Sequence, residues 1–129
     1  MRDAIGGSHN RAMRLPVIFV AFLALSAFAG AQGAEDKQLA VYRKAYEAAK
    51  KNLSAKPKDP KVKQAFVVAG DRYAMATMTA PSLSPKVKYP GALRLYREVL
   101  KVDPKNREAA NNSKMIVDIY KQMGLPVPN

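Results

Sequence analysis

The chain has 129 residues, with 22 Lys and Arg against 10 Asp and Glu and a formal charge of +12. That length holds one small domain. The absence of cysteine excludes disulfides, thiolate metal sites, cysteine nucleophiles and a lipid-modified cysteine. A single histidine, His9, leaves the remainder of the chain without an imidazole ligand or general base.

Arg2, Arg11 and Arg14 open the chain, and Leu15 to Ala34 carries no charge. The apolar heart from Val17 to Leu25 has signal-peptide length, and Ala27-Phe28-Ala29 and Ala29-Gly30-Ala31 satisfy the small-x-small cleavage rule. Residues 1–31 are therefore expected to be an export signal cleaved after Ala31, with Ala29 as the alternative. An uncleaved membrane anchor is the rival, because the uncharged stretch approaches the ~20 residues that span a bilayer. Removing residues 1–31 leaves 22 − 3 = 19 basic and 10 − 1 = 9 acidic residues, still +10. Such a surplus suits acidic proteins, anionic lipid heads or anionic wall polymer, and export argues against nucleic acid.

Four helices follow, over residues 35–125, with residues 126–129 as a tail. The first is expected over Glu35–Ala55, with Leu39, Tyr42, Tyr46, Ala49 and Leu53 on one face. Glu35 and Asp36 fall in its first turn and Lys50, Lys51 and Lys56 near its end, as the helix dipole favours. Pro57 and Pro60 stop it. The second runs from Lys61 to Thr79, with Phe66, Ala69, Tyr73 and Ala76 inward and Gly70 admitting a close neighbour. Ala80 to Lys88 reads as a loop. The third helix opens at Pro90-Gly91 and continues to Val102, burying Ala92, Leu95, Tyr96, Val99 and Leu100. The fourth spans Asn106 to Met123, with Ala110, Ile116, Val117, Ile119 and Tyr120 apolar and Gly124 as its stop. The fold class is all-α, two antiparallel helical pairs, and the tyrosines and methionines are expected to fill the core.

Within this pattern lies Phe66-x2-Ala69-Gly70-x2-Tyr73, then Ala92-x3-Tyr96, then Pro104. It resembles the tetratricopeptide-repeat consensus W-x2-L-G-x2-Y, A-x3-F, P. Ala92 to Pro104 is 104 − 92 = 12 positions, as in the family, whereas Tyr73 to Ala92 is 92 − 73 = 19. The consensus spacing there is about half that, so the turn carries an insertion of roughly ten residues, centred on Met78 to Lys88. The first helix resembles the closing half of a preceding unit, and the last the opening half of a following one. Three or more repeats usually bury a continuous core; one complete unit with two halves suggests self-association or packing on a partner.

The resemblance implies a protein- or peptide-binding adaptor in the bacterial cell envelope, using the concave face of the first helix of each pair. Counted from Phe66, the inward positions carry Gln64, Val67, Asp71 and Ala74; counted from Tyr120, they carry Asn111, Lys114, Asp118 and Lys121. The Lys/Asn clamp by which some family members hold a carboxylate is not reproduced, because Asp71 stands where that clamp has Asn. No cofactor or metal is expected, and nothing in the sequence resembles catalytic machinery: Ser82 and Ser84 have no base, and Pro90-Gly91-Ala92 is a helix start, not a phosphate cradle. The alternative function is charge-driven docking on anionic lipid or wall polymer.

Overall fold

A computed structural model describes the backbone of residues 25–129 and the side chains from Lys37 onward. The basic start and most of the apolar heart expected of an export signal lie outside the described residues. Four helices make up the rest: α1 Leu25–Ala55, α2 Pro60–Thr79, α3 Pro85–Val102 and α4 Arg107–Gln122. No strand occurs among the described residues. Each helix packs on the next, α1 on α2, α2 on α3 and α3 on α4, so the fold is all-α, a row of antiparallel helical hairpins.

The helix ends follow local chemistry. Asp59 caps α2, its carboxylate accepting from the amides of Lys61 at 2.8 Å and Val62 at 3.3 Å, while Pro60 occupies the first turn, where no donor is required. Asn106 caps α4 through the Ala109 amide at 2.9 Å. Past α4, Gly124 takes φ 67°, the left-handed backbone that glycine adopts without a Cβ penalty. Its amide reaches Lys121 O at 3.0 Å and that of Leu125 reaches Tyr120 O at 2.9 Å, the paired bonds of a Schellman stop.

Two helix starts differ from expectation. Helix α1 begins by Leu25, not Glu35, because the helix propensity of the alanines from Ala27 to Ala34 outweighs the cost of Gly30 and Gly33. Glu35 and Asp36 are then interior to the helix. No basic residue falls in its last turn either, so the expected dipole placements do not hold. Helix α3 begins at Pro85, with Pro90 inside it. Pro85 takes the first-turn position that Pro90 was expected to hold, and the Ser84 carbonyl accepts from the Val87 and Lys88 amides, both at 2.9 Å. The expected ten-residue insertion thus leaves only residues 80–84 as a loop; the remainder lengthens α2 and α3.

The core is built on the α2–α3 contact. Phe66, Val67, Gly70, Ala74 and Thr77 of α2 are buried, against Ala92, Leu93, Leu95, Tyr96 and Val99 of α3. Helix α1 contributes Tyr46 and Ala49, and α4 contributes Ala109 and Ile116. Ala109, not the expected Ala110, turns inward, and Leu93 joins the α3 stripe. Ala69, Tyr73, Leu100, Val117 and Tyr120 pack around this centre partly exposed. The tail is not free: Val127 packs on the core, and Arg97 Nη1 donates to Pro128 O at 2.8 Å.

Gly70 sets the interhelical distance. A Cβ built there would lie 2.5 Å from Val99 Cγ2, a methyl of a fully buried, β-branched side chain with no room to retreat. Gly70→Ala would gain about 1 kcal/mol of helix propensity but force the helices apart. Overpacking of this kind costs about 1–3 kcal/mol. We expect a lower melting temperature for Gly70→Ala in an otherwise unchanged chain. In a Val99→Ala background the same substitution should stabilise, because the obstructing methyl is gone; an equal loss in both backgrounds would refute the contact as the cause.

Candidate functional site

Among the described residues, two neighbouring concavities run along the α1–α2 face. One cleft, of about 590 Å³, is lined by Leu39 and Tyr42 of α1, by Asp71, Arg72 and Met75 of α2, and by Glu108 at the start of α4. A neighbouring groove of about 800 Å³ lies between Val41 and Ala45 on one side and Gln64 and Ala65 on the other. The two share Tyr42, Val68 and Arg72, so they join into one channel. Its apolar wall is open to solvent: Val41 is 64% exposed and Val68 39%.

The channel lies on the face of α2 opposite its buried stripe, where apolar Val68 and Met75 are interleaved with polar residues. Phe66, Val67, Gly70, Ala74 and Thr77, spaced as one helical stripe, are buried. Rotated to the other side, Gln64, Val68, Asp71, Arg72 and Met75 line the concavities. Of the inward positions expected on α2, Gln64 and Asp71 lie in the channel. Val67 and Ala74 do not: they are 6% and 0% exposed and belong to the core. Counting from Phe66 set the face one residue off, and Val68 and Met75 take those places. Period 3.6 from Gln64 gives 64, 68, 71 and 75 directly, which is the signal that could have found them.

The expected positions on α4 form a separate place. Asn111, Lys114 and Asp118 line a shallow groove with Met115, Ile119 and Gln122, all on that one helix, and Lys114 pairs with Asp118. Lys121 is exposed and does not line it. The structure therefore does not bring the α2 and α4 candidates into a single site; only Glu108 of α4 reaches the channel. Tyr42 and Met75, expected in the core, line the channel, and Met115 and Met123 are exposed. Of the methionines, Met78 packs on the core.

Two polar linkages brace the site from behind. Asn106 Nδ2 donates to Asp71 Oδ2 at 2.7 Å, tying α2 to the start of α4, while Asp71 Oδ1 is buried and accepts no hydrogen bond among the described residues. Burial pushes the Asp71 carboxyl up, against the Asn106 bond that lowers it, with the charges of Glu108 and Asp103 adding to the rise. Across α2, the Tyr46 hydroxyl donates to Glu98 Oε2. Lys50 Nζ and Arg94 Nη1 each lie 3.1 Å from that carboxylate. Burial raises the Glu98 carboxyl, but the bonds from Tyr46 and Lys50 and the nearby cations outweigh it, and the net shift is downward. Burial and the Glu98 carboxylate together hold the Tyr46 phenol well above its ordinary value. Deeper in the core, burial pushes the Tyr96 phenol up to about 12 despite the bond from Asn112 Nδ2.

Set beside models of known families, curated proteins and solved structures, the chain matches none of them.

Asp71 and Glu98 should respond to pH in opposite senses. Asp71 has a raised folded pKa, so its contribution to stability is full below its unfolded value and lost as pH rises through the folded one. Glu98 has a lowered folded pKa, so its contribution is present above its unfolded value and lost as pH falls. Urea unfolding between acid and neutral pH should show Asp71→Asn gaining stability relative to the parent as pH rises. Glu98→Gln should lose relative stability over the same range. Parallel curves for parent and variants would overturn these assignments.

Proposed function

We propose that the chain is a non-catalytic binding module of tetratricopeptide type, exported to the cell envelope, whose α1–α2 channel holds a peptide segment of a protein partner. The observation that carries this reading is the channel itself. It couples an exposed apolar wall, Val41, Tyr42 and Val68, to polar groups along its length, Gln38, Gln64, Asp71 and Arg72. Apolar surface with a few convergent polar groups is what a bound segment needs for affinity and orientation. The signature from Phe66 to Pro104 and the stacking of each helix on the next support the family assignment, and the uncharged N-terminal stretch supports export.

A library of displayed peptides selected on the immobilised chain tests the proposal. Selected sequences should carry an apolar anchor and should remain bound in salt sufficient to screen surface charge. Tyr42→Ala should weaken them by about 1–3 kcal/mol, the range for an aromatic anchor, and Val68→Glu should abolish binding while leaving the helical spectrum intact, since Val68 is outside the core. No selected peptide, or peptides indifferent to both substitutions, would overturn the channel as the site.

A further inference from the structure

Positive charge is concentrated at one end of the chain's helices, and its placement defines a second surface that meets the channel only at Pro60 and Lys61. From Lys51 to Lys63 the α1–α2 turn and its flanks carry Lys51, Lys56, Lys58, Lys61 and Lys63, all exposed, against one acid, Asp59. That acid is engaged as the cap of α2. The α3–α4 turn adds exposed Lys101, Lys105 and Arg107, beside exposed Glu108 and beside Asp103, which accepts from the Lys105 amide at 3.1 Å. Ion pairs among the described residues involve Lys50, Arg94 and Lys114; none neutralises these eight side chains.

Register brings the two turns to the same end of the molecule. Gly70 lies against Val99 and Gly91 against Thr77, so α2 and α3 are antiparallel and Val102 ends level with about Val67. The α1–α2 turn therefore protrudes past the α3–α4 turn by roughly 10 Å, at 1.5 Å per residue. The result is a stepped end, cationic chiefly at the α1–α2 turn, whose Pro60 and Lys61 edge the α1–α2 groove.

We propose that this end docks on the phosphate layer of an anionic lipid bilayer. Seven of the eight cations are lysines, compact hydrated point charges without the planar fork that selects a single phosphate or base edge. Neither stretch contains an aromatic residue, so it offers no platform for stacking bases. Nor does the tip present a large apolar side chain to bury in hydrocarbon: Val62 is half-buried within α2. A field of separated lysines is neutralised fully only by an extended array of anions. Each lysine near such a surface strengthens binding roughly fivefold. The docking is peripheral, adsorbing to headgroups without insertion.

Cosedimentation of the full chain with vesicles tests this, using phosphatidylcholine alone or with about one-third phosphatidylglycerol. One variant carries Lys51, Lys56, Lys58 and Lys63 as Gln, leaving Lys61 because it lines the groove; its control carries Lys37, Lys44, Lys86 and Lys121 as Gln, the same change in net charge away from the tip. All eight positions are exposed, so circular dichroism should show both variants folded. Any contribution of the N-terminal apolar stretch is common to all three chains. We expect the parent and control to bind anionic vesicles far more tightly than neutral ones, and the tip variant to lose several hundredfold. Equal losses in the two variants would show that only net charge matters and overturn the site. Equal binding to neutral vesicles, or tighter binding to soluble polyphosphate at matched phosphate, would overturn the lipid surface as occupant. A tip variant that still binds the selected peptides separates this proposal from the channel.

Discussion

The closeness of α2 and α3 at Gly70 is the constraint on which the rest of the structure depends. With no side chain at that position, Val99 sits where a Cβ would otherwise be, and Ala74 and Ala92, both fully buried, continue the small-residue seam. Helices drawn this near exchange dispersion contacts along their length. They also fix each other's register without a hydrogen bond between them. That register places Glu98 where Tyr46 and Lys50 of α1 can reach it across α2, and Asn106 where it can reach Asp71. The first and last helices are therefore aligned by polar groups whose positions follow from an apolar contact in the middle.

Much of this was legible because it rests on local chemistry. Pro60, Asn106 and Gly124 mark helix ends through backbone groups a few residues away, and the structure places those ends at or within a residue of where they are expected. Gly70 was legible too, as a helix interior that accepts glycine only for a neighbour's benefit. The starts of α1 and α3 were less so. Pro85 and Pro90 both suit a first turn, and sequence alone gives no reason to prefer the earlier one; Tyr89, packed against the core, supplies that reason only in three dimensions.

The site was half legible for a related reason. On α2, Val67 and Val68 are chemically identical neighbours about 100° apart around the axis, yet one is 6% exposed and the other 39%. Which valine faces solvent depends on where α1 and α3 lie. The same holds for Tyr42 and Tyr46, one lining the channel and the other in the core. Charge patterning, by contrast, could be counted in sequence but not located. The lysines around Pro57 and those after Leu100 are some forty residues apart along the chain, and only the antiparallel return of α3 makes them neighbours.

The bond from Arg97 to Pro128 has a consequence for how the molecule comes apart. It joins positions 31 residues apart, enclosing the whole of α4 in a loop whose two ends are both anchored on α3. A terminal helix contacting a single neighbour would ordinarily fray first, opening independently of the rest. Here α4 cannot swing fully away until the tail releases Arg97 and Val127 leaves the core. The α3–α4 hairpin and residues 127–128 are thus linked by contacts beyond the helix interface itself.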